Sequence, residues 1–263
     1  MLFEFQGRVI PVNMPDWSGL RAEVLRRFAS GEGFALATVN LDHLVKLESS
    51  KAFLDAYVGH DLIVADGRPI VWLSQLARSP VELMPGSDMV LPLCQLAAAA
   101  NVPVALVGST ETALEDGASH LESAVPGLNL AWKYSPSRGF DPEGAEAEEI
   151  FGQLKEKKIR LCFLALGAPK QELFAYRGRR LSPAVGFASV GAGIDFLGGH
   201  QRRAPMWMRN MALEWLWRAL SSPKRMFPRY AKCFAILPGL LLKALKLRRE
   251  SSHQGTLGVM RDK

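Results

Sequence analysis

Six short apolar runs, each separated from the next by a stretch with helical spacing, constrain this chain more than any other feature. They are FALATV at 34–39, LIVA at 62–65, VPVALV at 102–107, LNLAW at 128–132, RLCFLAL at 160–166 and VGFASV at 185–190. Each has the length of a strand buried on both faces. Between them, 42–57, 88–101, 110–124, 142–157 and 170–181 set apolar residues three and four apart, as helices do. Strands that alternate with helices predict a mainly parallel sheet covered on both sides. A chain of 263 residues with 48% hydrophobic content can bury one such core.

The expected fold class is therefore α/β: a Rossmann-like, mainly parallel sheet with helices on both faces. In such sheets ligands bind beyond the carboxyl ends of the strands. The residues there are small or polar: Thr38 and Asn40, Asp66 and Gly67, Gly108 with Ser109 and Thr110, Gly167, and Gly191 with Gly193. These turns are expected to converge on one crevice.

Charge divides the chain. The net charge is +6, yet between Arg202 and Arg249 twelve Lys and Arg residues face Glu214 alone, so the remainder is mildly acidic. In the same stretch Trp207, Met208, Met211, Trp215 and Leu216 recur at helical spacing. A basic amphipathic helical C-terminal appendage is expected, lying in the headgroup region of an anionic membrane surface. The apolar run at 233–242 is too short to span a bilayer, which needs about 20 residues. Two alternatives remain: the Trp residues pack on the domain and the cations form a solvated face, or the stretch binds nucleic acid. No nucleic-acid motif supports the latter. The expected domains are 1–200, a catalytic sheet domain, 201–250, the appendage, and 251–263, a disordered tail. The N-terminus has no signal-peptide pattern. Cys94, Cys162 and Cys233 are widely spaced, as in a reducing compartment.

Individual motifs carry two readings each. V-G-S-T at 107–110 either holds an anion at a helix start or merely caps that helix. In G-A-P-K-Q-E at 167–172, capping explains Pro169 and Glu172, whereas Lys170 and Gln171 are free to reach a ligand. Asp66 either caps the helix that starts near Pro69 or serves as a base beside Thr38 and Asn40. No D-x-D or H-E-x-x-H pattern occurs, so no metal site and no cofactor is expected.

Taken in order, T-x-N (Thr38, Asn40), A-D-G-x-x-I-V-W (65–72), P-G-S-D (85–88), L-V-G (106–108), L-G-A-P-K-Q-E (166–172), V-G-A-G-I-D-F-L-G-G (190–199) and R-R-A-P-x-W-M…L-E-W-L-W-R…P-K-R…R-Y (202–230) resemble the WecG/TagA/CpsF glycosyltransferases, family 26. The resemblance implies inverting, metal-independent transfer from a UDP-sugar to a polyprenyl-diphosphate-linked sugar at the cytoplasmic face of the bacterial inner membrane. It implies Asp66 as general base, with Thr38 and Asn40 near the reacting sugar. Lys170 and Gln171 would lie by the donor diphosphate. The 191–195 loop, with Gly191, Gly193 and Asp195, would lie by the uridine together with Gly139 and Phe140. Arg202, Arg203, Arg209, Arg218, Lys224, Arg225 and Arg229 would meet the lipid diphosphate and the membrane.

A-D-G-R-P and G-A-G-I-D depart from the family's usual P-D-G-x-G and G-G-S-F-D. GumM-type enzymes of xanthan-like exopolysaccharide assembly look most similar, implying glucose from UDP-glucose in a β-1,4 link. Transfer of N-acetylmannosamine or its uronic acid to a lipid-linked GlcNAc, or a non-catalytic module that binds UDP-sugars or lipid, are the other readings. The sequence fixes neither the donor sugar, the acceptor hydroxyl nor a homo-oligomeric state.

Overall fold

The computed structural model describes residues 1–259; the side chains of Asn210, Arg225 and residues 250–259 fall outside that description. The chain opens with an antiparallel hairpin of β1 (Leu2–Phe5) and β2 (Arg8–Pro11), then α1 (Trp17–Ser30). Next come β3 (Phe34–Val39), α2 (Leu41–Ser49), α3 (Lys51–Val58), β4 (Leu62–Ala65), α4 (Arg68–Leu76) and α5 (Gly86–Ala99). The second half adds β5 (Val104–Gly108), α6 (Glu111–Ala124), β6 (Leu130–Tyr134), α7 (Ala145–Glu156), β7 (Leu161–Ala165), α8 (Lys170–Leu181), β8 (Gly186–Ser189) and α9 (Gly193–Leu197). Three helices finish it: α10 (Met206–Asn210), α11 (Glu214–Ser221) and α12 (Pro223–Val259). The helical backbone thus enters the 251–263 segment expected to be disordered, and 260–263 lie outside the described residues.

All six expected runs become strands of one sheet, ordered β4-β3-β8-β7-β5-β6, with every pair parallel. Alternation along each strand fills both faces. Phe34, Leu36, Leu62, Val64, Leu106 and Phe163 point to the side covered by α1, α5 and α6. Ala37, Val39, Ile63 and Ala65 point to the other, against α2, α3, α4 and the hairpin, and Val107, Cys162, Leu164 and Phe187 meet α7 and α8. Burial on two faces is why the strands read as unbroken apolar runs. The fold is α/β and Rossmann-like.

The stretch expected as one helix over 42–57 is two. Ser50 ends α2 and caps α3, its side chain accepting from the Phe53 amide at 3.3 Å. At the other end of the chain, α12 packs on α2 and α4, the helices that leave β3 and β4. Leu240 and Ala244 join the core there. Among the described residues no helix is long and apolar enough to cross a membrane.

Candidate active site

The register of β3 on β4 pairs Val39 with Ala65, so Asn40 and Asp66 leave the sheet side by side. Asp66 does not cap α4: Gly67, at φ 103, holds that position, with no side-chain hydrogen bond to the helix. The carboxylate instead accepts from Asn40 Nδ2 at 3.2 Å. Asn40 Oδ1 caps α2 by accepting from the His43 amide at 3.1 Å, which fixes the direction of its amide donor.

Burial raises the Asp66 pKa above the ordinary Asp value; the Asn40 hydrogen bond and Arg218 pull it down, and Glu214 and Asp88 push it up. The appendage therefore reaches the field of this carboxylate. Thr38 is buried one residue before Val39, and its carbonyl accepts from Tyr57 OH at 2.6 Å and lies 2.6 Å from His43 Nδ1. Burial lowers His43 to about 4, so the ring is neutral at physiological pH. These two buried rings hold the end of β3 rigidly behind Asn40.

The turns after β5, β7 and β8 meet one another. Gly108 has φ 124, and a Cβ there would lie 2.5 Å from the Ala165 carbonyl, so its missing side chain answers to close packing of β5 on β7. The hydroxyls of V-G-S-T are occupied: Ser109 Oγ donates to Asp195, and Thr110 accepts from the Ala113 amide as a helix cap. Asp195 also accepts from Gln201 Nε2 at 2.9 Å.

Lys170 Nζ donates to the Phe140 carbonyl at 2.7 Å, which joins the Lys170 turn to the loop of Gly139. Gln171 is buried and bridges two turns: Oε1 accepts from the Gly191 amide at 3.1 Å while Nε2 donates to Glu172 at 2.9 Å. Gly167, at φ 72, is exposed at this turn, and Gly193 packs against Val90 and Ser87 at the start of α9. Lys46 Nζ ties the same region to α2, donating to the Ala168 carbonyl at 3.2 Å and pairing with Asp42 at 2.7 Å.

The tail arginines are held by acids that sequence reasoning did not single out. Arg203 makes a bidentate pair with Asp88, in the first turn of α5. Arg218 donates to Glu214 at 2.7 Å, and both Arg203 and Arg218 approach the Phe196 ring, at 6.0 and 5.9 Å. Arg229 pairs with Asp42 at 2.8 Å. Asp88 and Glu214 stand within the P-G-S-D and L-E-W motifs, which was the available signal. Arg202 and Lys224 are exposed, and the Arg225 side chain lies outside the described residues. Part of the appendage packs: Met208, Ala219, Met226 and Cys233 are buried, and Trp215 meets Tyr230 and Phe234 edge-on. Trp207, Met211 and Phe227 remain about 60% exposed.

A carboxylate without a capping role, a neighbouring amide and arginines brought in from a separate helical segment suit proton removal beside a phosphorylated substrate. A sequence model described as the glycosyl transferase WecG/TagA/CpsF family matches residues 8–253. With nearly the whole chain matched, including the appendage, this protein belongs to the WecG/TagA/CpsF family of glycosyltransferases, which act on lipid-linked sugars.

Proposed function

We propose that this enzyme moves glucose from UDP-glucose, in a β-1,4 link, onto a polyprenyl-diphosphate-linked saccharide during exopolysaccharide assembly. The observation that carries the transfer step is the Asp66 carboxylate, free of the α4 cap, aimed by Asn40 and lying in the field of Arg218.

In this reading Asp66 takes the proton from the acceptor hydroxyl as that oxygen attacks the anomeric carbon. The bond to the UDP oxygen breaks on the opposite face, the configuration inverts, and UDP leaves as an anion. Thr38 and Asn40 position the reacting groups. Lys170 and the Gly191 turn, which Gln171 holds in place, flank the donor diphosphate, with Gly139 and Phe140 beside the nucleoside. Positively charged groups and turn amides oppose the charge that grows on the leaving oxygen, so no metal ion is required. Exposed Trp207 and Phe227, with Arg202 and Lys224, seat the appendage on the anionic cytoplasmic leaflet as a peripheral protein.

The test offers the protein membranes that carry a glucosyl-diphosphate-polyprenol, with labelled UDP-sugars, in EDTA. Label from UDP-glucose is expected in the lipid fraction. Label from UDP-N-acetylmannosamine instead would assign the other donor, and no label from any UDP-sugar would leave a binding module.

A further inference from the structure

Asp42, in the first turn of α2, stands between two cations from different parts of the chain. Arg229, on α12, brings its Nε within 2.8 Å of Oδ1, and Lys46, one turn further along α2, brings its Nζ within 2.7 Å of Oδ2. Both contacts are ion pairs by distance rather than aligned hydrogen bonds. Burial by itself would raise the Asp42 carboxyl, but Lys46 and Arg229 outweigh it and hold the group below its ordinary value. The Lys46 ammonium has a second partner, the Ala168 carbonyl, to which it donates at 3.2 Å. Ala168 lies in G-A-P-K-Q-E two residues before Lys170, whose own ammonium holds the Phe140 carbonyl at 2.7 Å. Its side chain packs against the same apolar cluster that receives Leu240 and Ala244 of α12. Contacts therefore run without a gap from Arg229 through Asp42 and Lys46 to Ala168.

An i,i+4 pair such as Asp42 and Lys46 holds its geometry only weakly when water reaches it. Docking of α12 on α2 changes that, because Arg229 covers the carboxylate and fixes which oxygen faces Lys46. The ammonium is then aimed at Ala168. Without Arg229 the carboxylate would be solvated and Lys46 would be released from the turn. Removing the carboxylate instead would leave two like charges facing each other, so Asp42 is also what allows the appendage to settle against α2.

We propose that Asp42 and Lys46 are positioning residues that make the Lys170 turn depend on α12: by docking Arg229, the appendage orders the loop that receives the donor diphosphate. The inference rests on the placement of the donor by Lys170 proposed above. It turns Arg229, which the resemblance sets against the lipid and the membrane, to the donor side. Seating of the appendage and binding of the UDP-sugar are thereby linked.

The test measures UDP binding to the full-length protein by calorimetry, with thermal unfolding alongside, in the wild type, Lys46→Met, Lys46→Arg, Asp42→Asn, Arg229→Gln and the double variant of Lys46→Met with Arg229→Gln. Lys46→Met keeps the apolar stem and loses the donor to Ala168, so UDP should bind about fivefold or more weakly, as loss of a charged hydrogen bond predicts. Lys46→Arg should recover part of that. Arg229→Gln should weaken UDP by about two- to fivefold, the range of a partly exposed ion pair. In the double variant it should add little, because it acts through Lys46. Asp42→Asn should weaken UDP at least as much as Arg229→Gln, and if it does not fold, the Lys46 and Arg229 variants carry the test. In turnover, each loss should appear as a raised donor KM more than as a lowered kcat. Wild-type UDP affinity in a folded Lys46→Met, losses from Lys46→Met and Arg229→Gln that simply add, or a lowered unfolding temperature with UDP affinity unchanged would each overturn the link while leaving the donor site in place. Absence of UDP binding by the wild type would instead remove the donor assignment of the Lys170 turn, and the link with it.

Discussion

Asn40 holds Asp66 with one end of its amide and the start of α2 with the other: Nδ2 donates to the carboxylate at 3.2 Å, and Oδ1 accepts from the His43 amide at 3.1 Å. The helix cap therefore orients the donor that steadies the carboxylate proposed as the base. A mobile carboxylate would have to be ordered at each turnover, whereas this one is ordered by the fold.

The pH dependence follows from that arrangement. Burial raises the Asp66 pKa, and the Asn40 hydrogen bond lowers it by favouring the charged form. A base must be ionised, so kcat/KM should fall on the acid side, at a pH above the ordinary Asp range. Asn40→Ser keeps a capping oxygen but removes the amide donor, so its acid limb should move to higher pH. Asp66→Asn should lose about 10²- to 10⁴-fold in turnover while folding normally. An acid limb that stays in place in Asn40→Ser would disconnect the amide from the base.

The membrane reading predicts a separate loss. Trp207 and Phe227 are each about 60% exposed on the appendage. Replacing both with Ser should leave the thermal unfolding temperature unchanged and reduce partitioning onto anionic vesicles by on the order of tenfold or more, given about 1.5–3 kcal/mol for each large apolar side chain that leaves water. Equal flotation of the two proteins would return the tail to a solvated face.

Much of the architecture was legible because parallel strands buried on both faces have no polar alternation to blur them. The β1–β2 hairpin was not, since each strand has only four residues and a turn through Gln6 and Gly7, both at positive φ, is their main mark. The break at Ser50 was hidden by apolar spacing that runs on through it. Asp66 and Asn40 could be paired by reasoning on adjacent strand ends, 26 residues apart. Asp88 and Arg203 could not: 115 residues separate them, and a motif shows which residues recur together without showing which of them touch.

Gly108 tests the packing of the turns. An added Cβ would meet the Ala165 backbone at 2.5 Å, on a residue whose φ of 124 a side chain rarely adopts. Backbone atoms on β7 cannot yield as the tip of a flexible side chain would. Gly108→Ala should therefore destabilise the protein by on the order of 2–4 kcal/mol in denaturant unfolding, combining strain with overpacking. A change below about 0.5 kcal/mol, typical of an unconstrained surface site, would show that the two strand ends separate freely.

Glu172 gives a stability signature independent of catalysis. Burial raises its carboxyl from an ordinary 4.5 to about 7, against the opposing hydrogen bond from Gln171, and its second oxygen has no hydrogen-bond partner. Because the folded state binds this proton more tightly than the unfolded chain, the contribution to stability is full below pH 4.5 and is lost as the pH rises through about 7. The loss over that window is on the order of 3 kcal/mol. Glu172→Gln can still accept from Gln171 and does not titrate, so its stability should change less across the same window. Unfolding at pH 5 and pH 8 should show the wild type declining relative to the variant. Parallel profiles would mean that Glu172 is already ionised at pH 5, with a cation or water reaching its second oxygen, and that the bridge from Gln171 to the Gly191 turn is built on a charge.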